Sequence, residues 1–300
     1  MSTGLGERRT ALLATLVLLA MTACWGSTFY LIHDLLDRVP VVDFLAVRFA
    51  IASVAMLALA PRAIGRLSPA VRKHALVLGG LYGVAQILQT AGLAHTSASV
   101  SGFVTGMYVV LTPLLAAAIL RTRINALTWA AVGLAVAGLA VLTLSGLSIG
   151  YGEGLTLIAA GLYALHIVGL GAWSNPADAV GMSILQCLVI TAICFVAAVP
   201  GGITLPQSPG DWLSVVYMAL FAGAAALLGQ TWAQAHLSPT RSAIIMSMEP
   251  VFAASFAVLL GGETLTGRML GGGALVIAAM LLVELVPRRK IEGEVQHLTV

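Results

Sequence analysis

The chain is 300 residues long, 59% hydrophobic and only 9% charged, with a mean hydropathy of +1.00. A water-soluble domain carries about 25% charged residues, so this composition excludes one and predicts an integral membrane protein. The net charge of +3 comes from bases scattered over short loops, not from a basic stripe interleaved with aromatics, so no nucleic-acid partner is expected.

Taken in chain order, apolar runs broken by charge, Gly or Pro predict ten spans, at 10–31, 41–60, 75–94, 98–120, 126–144, 152–173, 179–199, 212–235, 240–260 and 268–286. At about 20 residues each they consume about 200 residues and leave only short loops. The breaks have physical causes: Asp34, Asp37, Arg38 and Pro40 end the first run, and Arg62, Arg66, Arg72 and Lys73 fill the one long basic loop. Cys24, Cys187 and Cys194 lie inside apolar runs, where a small hydrophobe is the usual role, and no disulfide framework is expected. Met21-Thr22-Ala23-Cys24 loosely matches a lipoprotein cleavage box, but the run continues through Trp25 to Ile32, which fits a retained first helix better.

Positive loops stay cytoplasmic. With the N-terminus inside, the inner segments hold twelve bases (Arg8, Arg9, Arg62, Arg66, Arg72, Lys73, Arg121, Arg123, Arg241, Arg288, Arg289 and Lys290) against Arg38 and Arg268 outside. Both termini are therefore expected in the cytoplasm, as segments 1–9 and 287–300.

The chain also resembles itself. Residue 85 against residue 226, a shift of 226 − 85 = 141, gives seven identities in seventeen positions: Ala85/Ala226, Gln89/Gln230, Thr90/Thr231, Ala94/Ala235, His95/His236, Ser97/Ser238 and Ser101/Ser242. With small gaps Pro113 pairs with Pro250, each after a polar residue, Thr112 or Glu249. A duplication of five helices, 10–144 and 152–286, follows. Five is odd, so the second copy should be inverted, and the loop charges agree: Arg121-Thr122-Arg123 in one half against Gly261-Gly262-Glu263 in the other. The expected fold is thus all-α, ten transmembrane helices as two inverted five-helix repeats. That is the architecture of many secondary transporters, whose pseudo-symmetric halves exchange conformations around a midplane site.

Several motifs now join this pattern: Trp25-Gly26-Ser27-Thr28-Phe29 in the first span, Arg48 inside the second, Ser101-Gly102-Phe103 leading to Pro113 in the fourth, and Met248-Glu249-Pro250-Val251-Phe252 before Gly262-Glu263 in the ninth. Together they resemble the EamA type of the drug/metabolite transporter superfamily over nearly the whole chain. The first-half loop departs from the family pattern, with Arg121 and Arg123 where many copies have Gly-Glu. The resemblance implies an inner-membrane carrier, commonly an exporter of amino acids or other small metabolites. It also implies a central cavity lined by helices 1, 3, 4, 6, 8 and 9.

Polar groups in a lipid-surrounded bundle point inward or pair with each other. Tyr82, Gln86 and Gln89 fall on one face of the third span; Ser101, Thr105, Tyr108 and Thr112 do so in the fourth; Gln230 and Gln234 lie one turn apart in the eighth. Such donors and acceptors without fixed charge suit a zwitterionic or neutral polar solute, though they also serve as interhelical glue. Glu249 is about ten residues into its span, roughly 15 Å deep at 1.5 Å per residue. It is a candidate substrate contact and proton carrier, or a lock against Arg48, and Pro250 beside it frees a carbonyl for a ligand ammonium. Arg48 itself reads as structural, bonded to carbonyls or to acids such as Asp43. Trp25 and His166, partners under the repeat, with Tyr163 one turn from His166, could clamp a planar group; a hydrogen-bonded core histidine is the alternative. His95 and His236 at span ends are read as helix caps sooner than gates, and Gly133, Gly138 and Gly271-Gly272-Gly273 as packing positions. The resemblance implies that these last helices of each repeat sit away from the cavity, where a second copy could dock.

The sequence lacks an HExxH, a Gly-x-Ser-x-Gly in a strand-turn-helix context or a second midplane carboxylate, so neither enzyme chemistry nor a metal or cofactor site is expected. Nor does it carry the charge rings of a channel. The expected activity is secondary transport of small polar metabolites by alternating access, with Pro113 and Pro250 as hinges. Drug or toxic-cation efflux and metabolite uptake are the alternatives. The expected partners are a small-molecule substrate, the bilayer and protons as a candidate coupling ion, in a monomer or homodimer.

Overall fold

The computed structural model describes residues 2–96, 98–121, 124–143, 150–260 and 264–285, which leaves Ser97, Arg123, the 261–263 loop and the C-terminal tail outside the described residues. Thirteen α-helices follow one another with no strand among the described residues. They are α1 (Ser2–Leu36), α2 (Val41–Leu59), α3 (Pro69–Leu93), α4 (Ala98–Gly106), α5 (Tyr108–Leu120), α6 (Ala126–Thr143) and α7 (Tyr151–Trp173). Then come α8 (Ala179–Ala198), α9 (Pro209–Ala219), α10 (Ala226–Gln234), α11 (Pro239–Met246), α12 (Glu249–Leu260) and α13 (Gly267–Leu285).

Local sequence starts these helices in a recurrent way. Ser68, Ser208 and Ser238 each accept a bond from the backbone N–H three residues on, and each is followed by a proline at the first helical position. Proline's missing donor costs nothing there, and the serine oxygen satisfies one of the free N–H groups. At α7 no side chain caps from Gly150; instead Glu153 reaches back, its Oε2 accepting from the Gly150 N–H at 2.9 Å.

Seven apolar segments are long enough to cross a membrane: Arg8–Ile32, Val41–Leu59, Pro69–Leu93, Tyr151–Trp173, Ala179–Gly201, Pro209–Gln234 and Pro239–Leu260. Three shorter apolar stretches, Val104–Leu120, Ala126–Gly138 and Gly267–Leu282, occupy the places of the expected fourth, fifth and tenth spans. Large apolar side chains such as Leu13, Leu59, Val196, Leu213 and Leu259 are exposed on the outer faces, as a lipid-facing surface requires.

Three of the expected spans are not continuous α-helices. The fourth breaks at Met107, between α4 and α5, while Pro113 sits buried inside α5. The ninth breaks at Ser247 and Met248, so Glu249 opens α12 with Pro250 behind it. Pro250 has no N–H to offer the Met246 carbonyl, which explains a break there. Between α9 and α10 the chain winds as a π-turn over Leu220–Ala225, a wider coil whose carbonyls are available to outside donors.

Packing pairs the elements in a regular way. Helix α2 runs along α8 and α6 along α13; α3 lies against α7 and α8, and α1 against α10 and α12; α4 and α5 meet α12, α11 and α7. Where α3 meets α7, a Cβ on Gly92 would lie 2.7 Å from the Gly152 carbonyl oxygen; where α6 meets α13, one on Gly138 would lie 2.8 Å from that of Gly272. Only glycine lets these backbones approach so closely. Gly133 and Gly271 have open space around them.

Candidate functional site

The helices converge on a central cavity of about 650 Å³, counted out to its open mouth. Its walls come from α1 (Trp25, Thr28, Phe29, Ile32), α3 (Tyr82, Gln86, Gln89, Thr90, Leu93), α4 and α5 (Thr105, Tyr108) and α7 (Tyr163, His166, Ile167). Gln230 of α10, Met246 of α11, Glu249 of α12 and Arg48 of α2 complete it. These belong to the expected first, third, fourth, sixth, eighth and ninth spans, with one intruder from the expected second.

A hydrogen-bonded relay runs along one wall. Gln86 Nε2 donates to the Tyr163 hydroxyl at 2.6 Å, that hydroxyl donates to Gln89 Oε1 at 2.8 Å, and Gln89 Nε2 donates to Thr105 Oγ1 at 3.2 Å. The relay is amide, phenol and hydroxyl only, so it fixes side-chain directions without a charge. Beside it Tyr82 packs edge-on against both Tyr163 and His166, with ring centroids 5.4 and 5.0 Å away. His166 Nε2 shares a 2.9 Å bond with Gln186 Oε1, while its Nδ1 is buried without a partner among the described residues. The same holds for the Tyr108 hydroxyl and Gln230 Oε1. Buried polar atoms without a partner are costly, so these three mark where the packing around the cavity is least satisfied.

Two ionisable groups line this cavity. Glu249 is partly buried at the first turn of α12, near the positive end of that helix, and has neither an ion pair nor a hydrogen-bond partner among the described residues. Arg48 is 3% exposed and does not pair with it. Arg48 Nε donates to the Met218 carbonyl at 3.3 Å and Nη2 to the Ala222 carbonyl at 3.1 Å, at and just before the π-turn. Trp25 Nε1 donates to the same Ala222 carbonyl at 3.0 Å. Asp43, named from sequence as a partner for Arg48, instead accepts from the Thr204 N–H at 2.9 Å.

Of the residues singled out from sequence, the cavity gathers Trp25, Tyr82, Gln86, Gln89, Tyr108, Tyr163, His166, Gln230 and Glu249. Gln234 stands apart: it is 1% exposed, donates to the Ile167 carbonyl at 3.0 Å and accepts from Gln230 at 3.0 Å, so it ties α10 to α7 behind the wall. Ser101 and Thr112 are buried away from the cavity with no partner among the described residues. His236 folds back onto the Trp232 carbonyl at 2.9 Å, and His95 stacks edge-on against Tyr151. Thr28, Phe29 and Ile32, not among the expected substrate contacts, also line the cavity. With Trp25 they form a stripe at i, i+3, i+4 and i+7, a signal that was there to be read.

The fold and the site together define a multi-span helical membrane protein built around a polar and aromatic chamber. The EamA-like transporter family matches the chain twice, over residues 12–144 and 150–285, and the chain belongs to that family. It is a membrane transporter of the drug/metabolite superfamily, as the motifs around Trp25, Arg48, Pro113 and Glu249 implied. Among named relatives, an uncharacterized transporter of Archaeoglobus fulgidus is 29% identical over 91% of this chain and 86% of its own. A probable terminal-alkyne amino-acid exporter of Streptantibioticus cattleyicolor is 28% identical over 89% and 91%, and the uncharacterized inner membrane transporter YedA of Escherichia coli K12 is 25% identical over 88% and 89%. A protein known by its crystal structure superposes with a TM-score of 0.78 at 19% identity, covering 92% of this chain and 98% of its own, a likeness of fold.

Proposed function

We propose that the protein is a secondary transporter that exports amino acids or related small polar metabolites across a bacterial inner membrane by alternating access. The observation that carries this reading is the chamber itself: a relay of neutral donors and acceptors, aromatic walls, and a carboxylate, Glu249, with no partner of its own among the described residues. The name of the Streptantibioticus relative supports the substrate class, and that of YedA supports the membrane.

Ten crossings as two inverted repeats fit the paired packing. The contacts of α1 with α10 and of α3 with α7 exchange when the two halves are swapped, and α2 with α8 and α6 with α13 map onto themselves. The cavity is lopsided in a way that supports alternation. Phe29 and Leu93 line it, whereas their repeat partners Leu170 and Gln234 are buried outside it, Gln234 bonded to Ile167. A swap of roles between the halves closes one end and opens the other. The hinges of this motion are the broken fourth and ninth spans around Pro113 and Pro250, protons are its candidate coupling ion through Glu249, and the distribution of Lys and Arg supports a cytoplasmic side for both termini.

The test is to express the chain in an exporter-poor bacterium and load the cells with dipeptides. Particular amino acids should appear in the medium, and less of them with Glu249→Gln. An unchanged medium from cells with verified insertion of the protein contradicts amino-acid export. Efflux of amines instead favours the second reading, organic-cation efflux, for which the aromatic walls and Glu249 also speak.

A further inference from the structure

We propose that Arg48 is the carboxylate-binding pole of the chamber, so that the transported molecule carries a carboxylate at one end and, facing Glu249, a cationic group at the other. This rests on the carrier reading above and narrows it.

Arg48 is a charge without a counter-charge among the described residues. Arg48 lies in the interior of α2 at 3% exposure, yet it forms no ion pair with another described residue; the pair of Arg38 with Asp211 lies in another part of the molecule. A guanidinium cannot shed its proton, and a buried ion without a partner is costly, so such groups are ordinarily paired. The carbonyls of Met218 and Ala222 occupy two of its five donors. They are neutral, and they satisfy hydrogen bonds without cancelling the charge.

The mounting is also specific. The π-turn at Leu220–Ala225 supplies the Ala222 acceptor, and the Phe44 and Phe49 rings lie 5.9 and 5.2 Å from the guanidinium carbon. Carbonyls on one side and aromatic rings around it hold the planar fork in one direction, and Arg48 still contributes to the cavity wall. A fixed guanidinium edge facing a chamber matches a carboxylate, which it can bind through two parallel hydrogen bonds. Glu249 lines the same chamber and is equally without a partner among the described residues. A fixed cation and an ionisable acid that line one cavity and do not pair with each other leave a carboxylate-and-ammonium solute a partner for each of its groups.

The experiment uses the purified full chain in detergent and reads thermal stabilisation by three matched series. These are the amino acids, the amines left when their carboxyl group is removed, and the carboxylic acids left when their amino group is removed. The expected result is stabilisation by amino acids, with the amines at least about tenfold weaker. Arg48→Gln should weaken amino-acid binding roughly 10- to 100-fold, the loss for a charge-assisted hydrogen bond, while leaving amine binding where it was, and Arg48→Lys should fall between. A merely structural arginine would weaken all three series together.

The proposal is overturned if amines bind as tightly as amino acids, if Arg48→Gln leaves the preference unchanged, or if no carboxylate-bearing compound stabilises the protein. If the glutamine variant does not fold, the comparison of the three series on the unmodified chain decides alone. Amine-selective binding with intact efflux overturns the role of Arg48 and leaves a carrier standing; loss of efflux for every class overturns the carrier reading itself.

Discussion

Gly26 offers a sharp test of how the chamber is assembled. It lies on α1 beside Trp25, where α1 crosses α12. A Cβ at this position would sit 2.7 Å from Phe252 Cβ, 2.9 Å from the Ala253 nitrogen and 2.9 Å from the Glu249 carbonyl oxygen. Two of these three atoms are backbone, so no rotamer change relieves the clash. Returning the closest contact to 3.4 Å requires a shift of 3.4 − 2.7 = 0.7 Å between α1 and α12. Overpacking of this kind costs about 1–3 kcal/mol. Because Trp25 is anchored to Ala222 and Glu249 opens α12, the displacement is delivered to two walls of the chamber at once. Gly26→Ala should therefore lower the thermal unfolding midpoint in detergent and reduce transport. Gly161→Ala on α7 is the control, since a Cβ there meets nothing within 4 Å and helix propensity favours alanine by about 1 kcal/mol at most. Equal stability of the Gly26 variant and the unmodified chain, or equal damage from both substitutions, would refute the packing argument.

Other substitutions separate the chamber from its supports. Tyr163→Phe removes the centre of the relay and leaves Gln86 and Gln89 each short of a partner, a loss of about 1–3 kcal/mol for each group that water does not reach. Substrate affinity measured by transport kinetics should fall with it, and an unchanged KM would remove the relay from the binding site. Gln234→Leu frees the Ile167 carbonyl behind the wall, so unfolding should come earlier while KM stays the same; a raised KM would return Gln234 to the chamber. An engineered cysteine cross-link between α5 and α11 should abolish flux and leave a folded protein, and undiminished flux in the cross-linked form would contradict movement of the halves.

The membrane class and the helix order were legible because lipid imposes one rule along the whole chain: apolar for about 20 residues, then a break. Most of the chamber was legible for a related reason, since polar side chains on one helical stripe have nowhere to point but inward. What escaped was long-range. Gln230 and Gln234 share a stripe, yet Gln234 spends its amide on a carbonyl of another helix, which spacing along α10 does not reveal. Arg48 has no acid one turn away to explain it, and its carbonyl partners come from a π-turn made of Leu, Phe, Ala and Gly, a composition indistinguishable from ordinary helix. The breaks were only half legible: Pro250 stands beside its break, while in the fourth span the helix gives way at Met107, well before Pro113.

The central claim is that this chamber carries solute across the membrane one molecule at a time and that Glu249 takes part. The direct measurement is efflux from proteoliposomes containing only the purified protein, preloaded with a mixture of amino acids and followed over a range of internal concentrations. The account predicts saturable efflux of a subset of the mixture, slowed by Glu249→Gln although that variant inserts and unfolds like the unmodified chain. Efflux that rises linearly without saturation, that treats all solutes alike, or that is untouched by the substitution would contradict it.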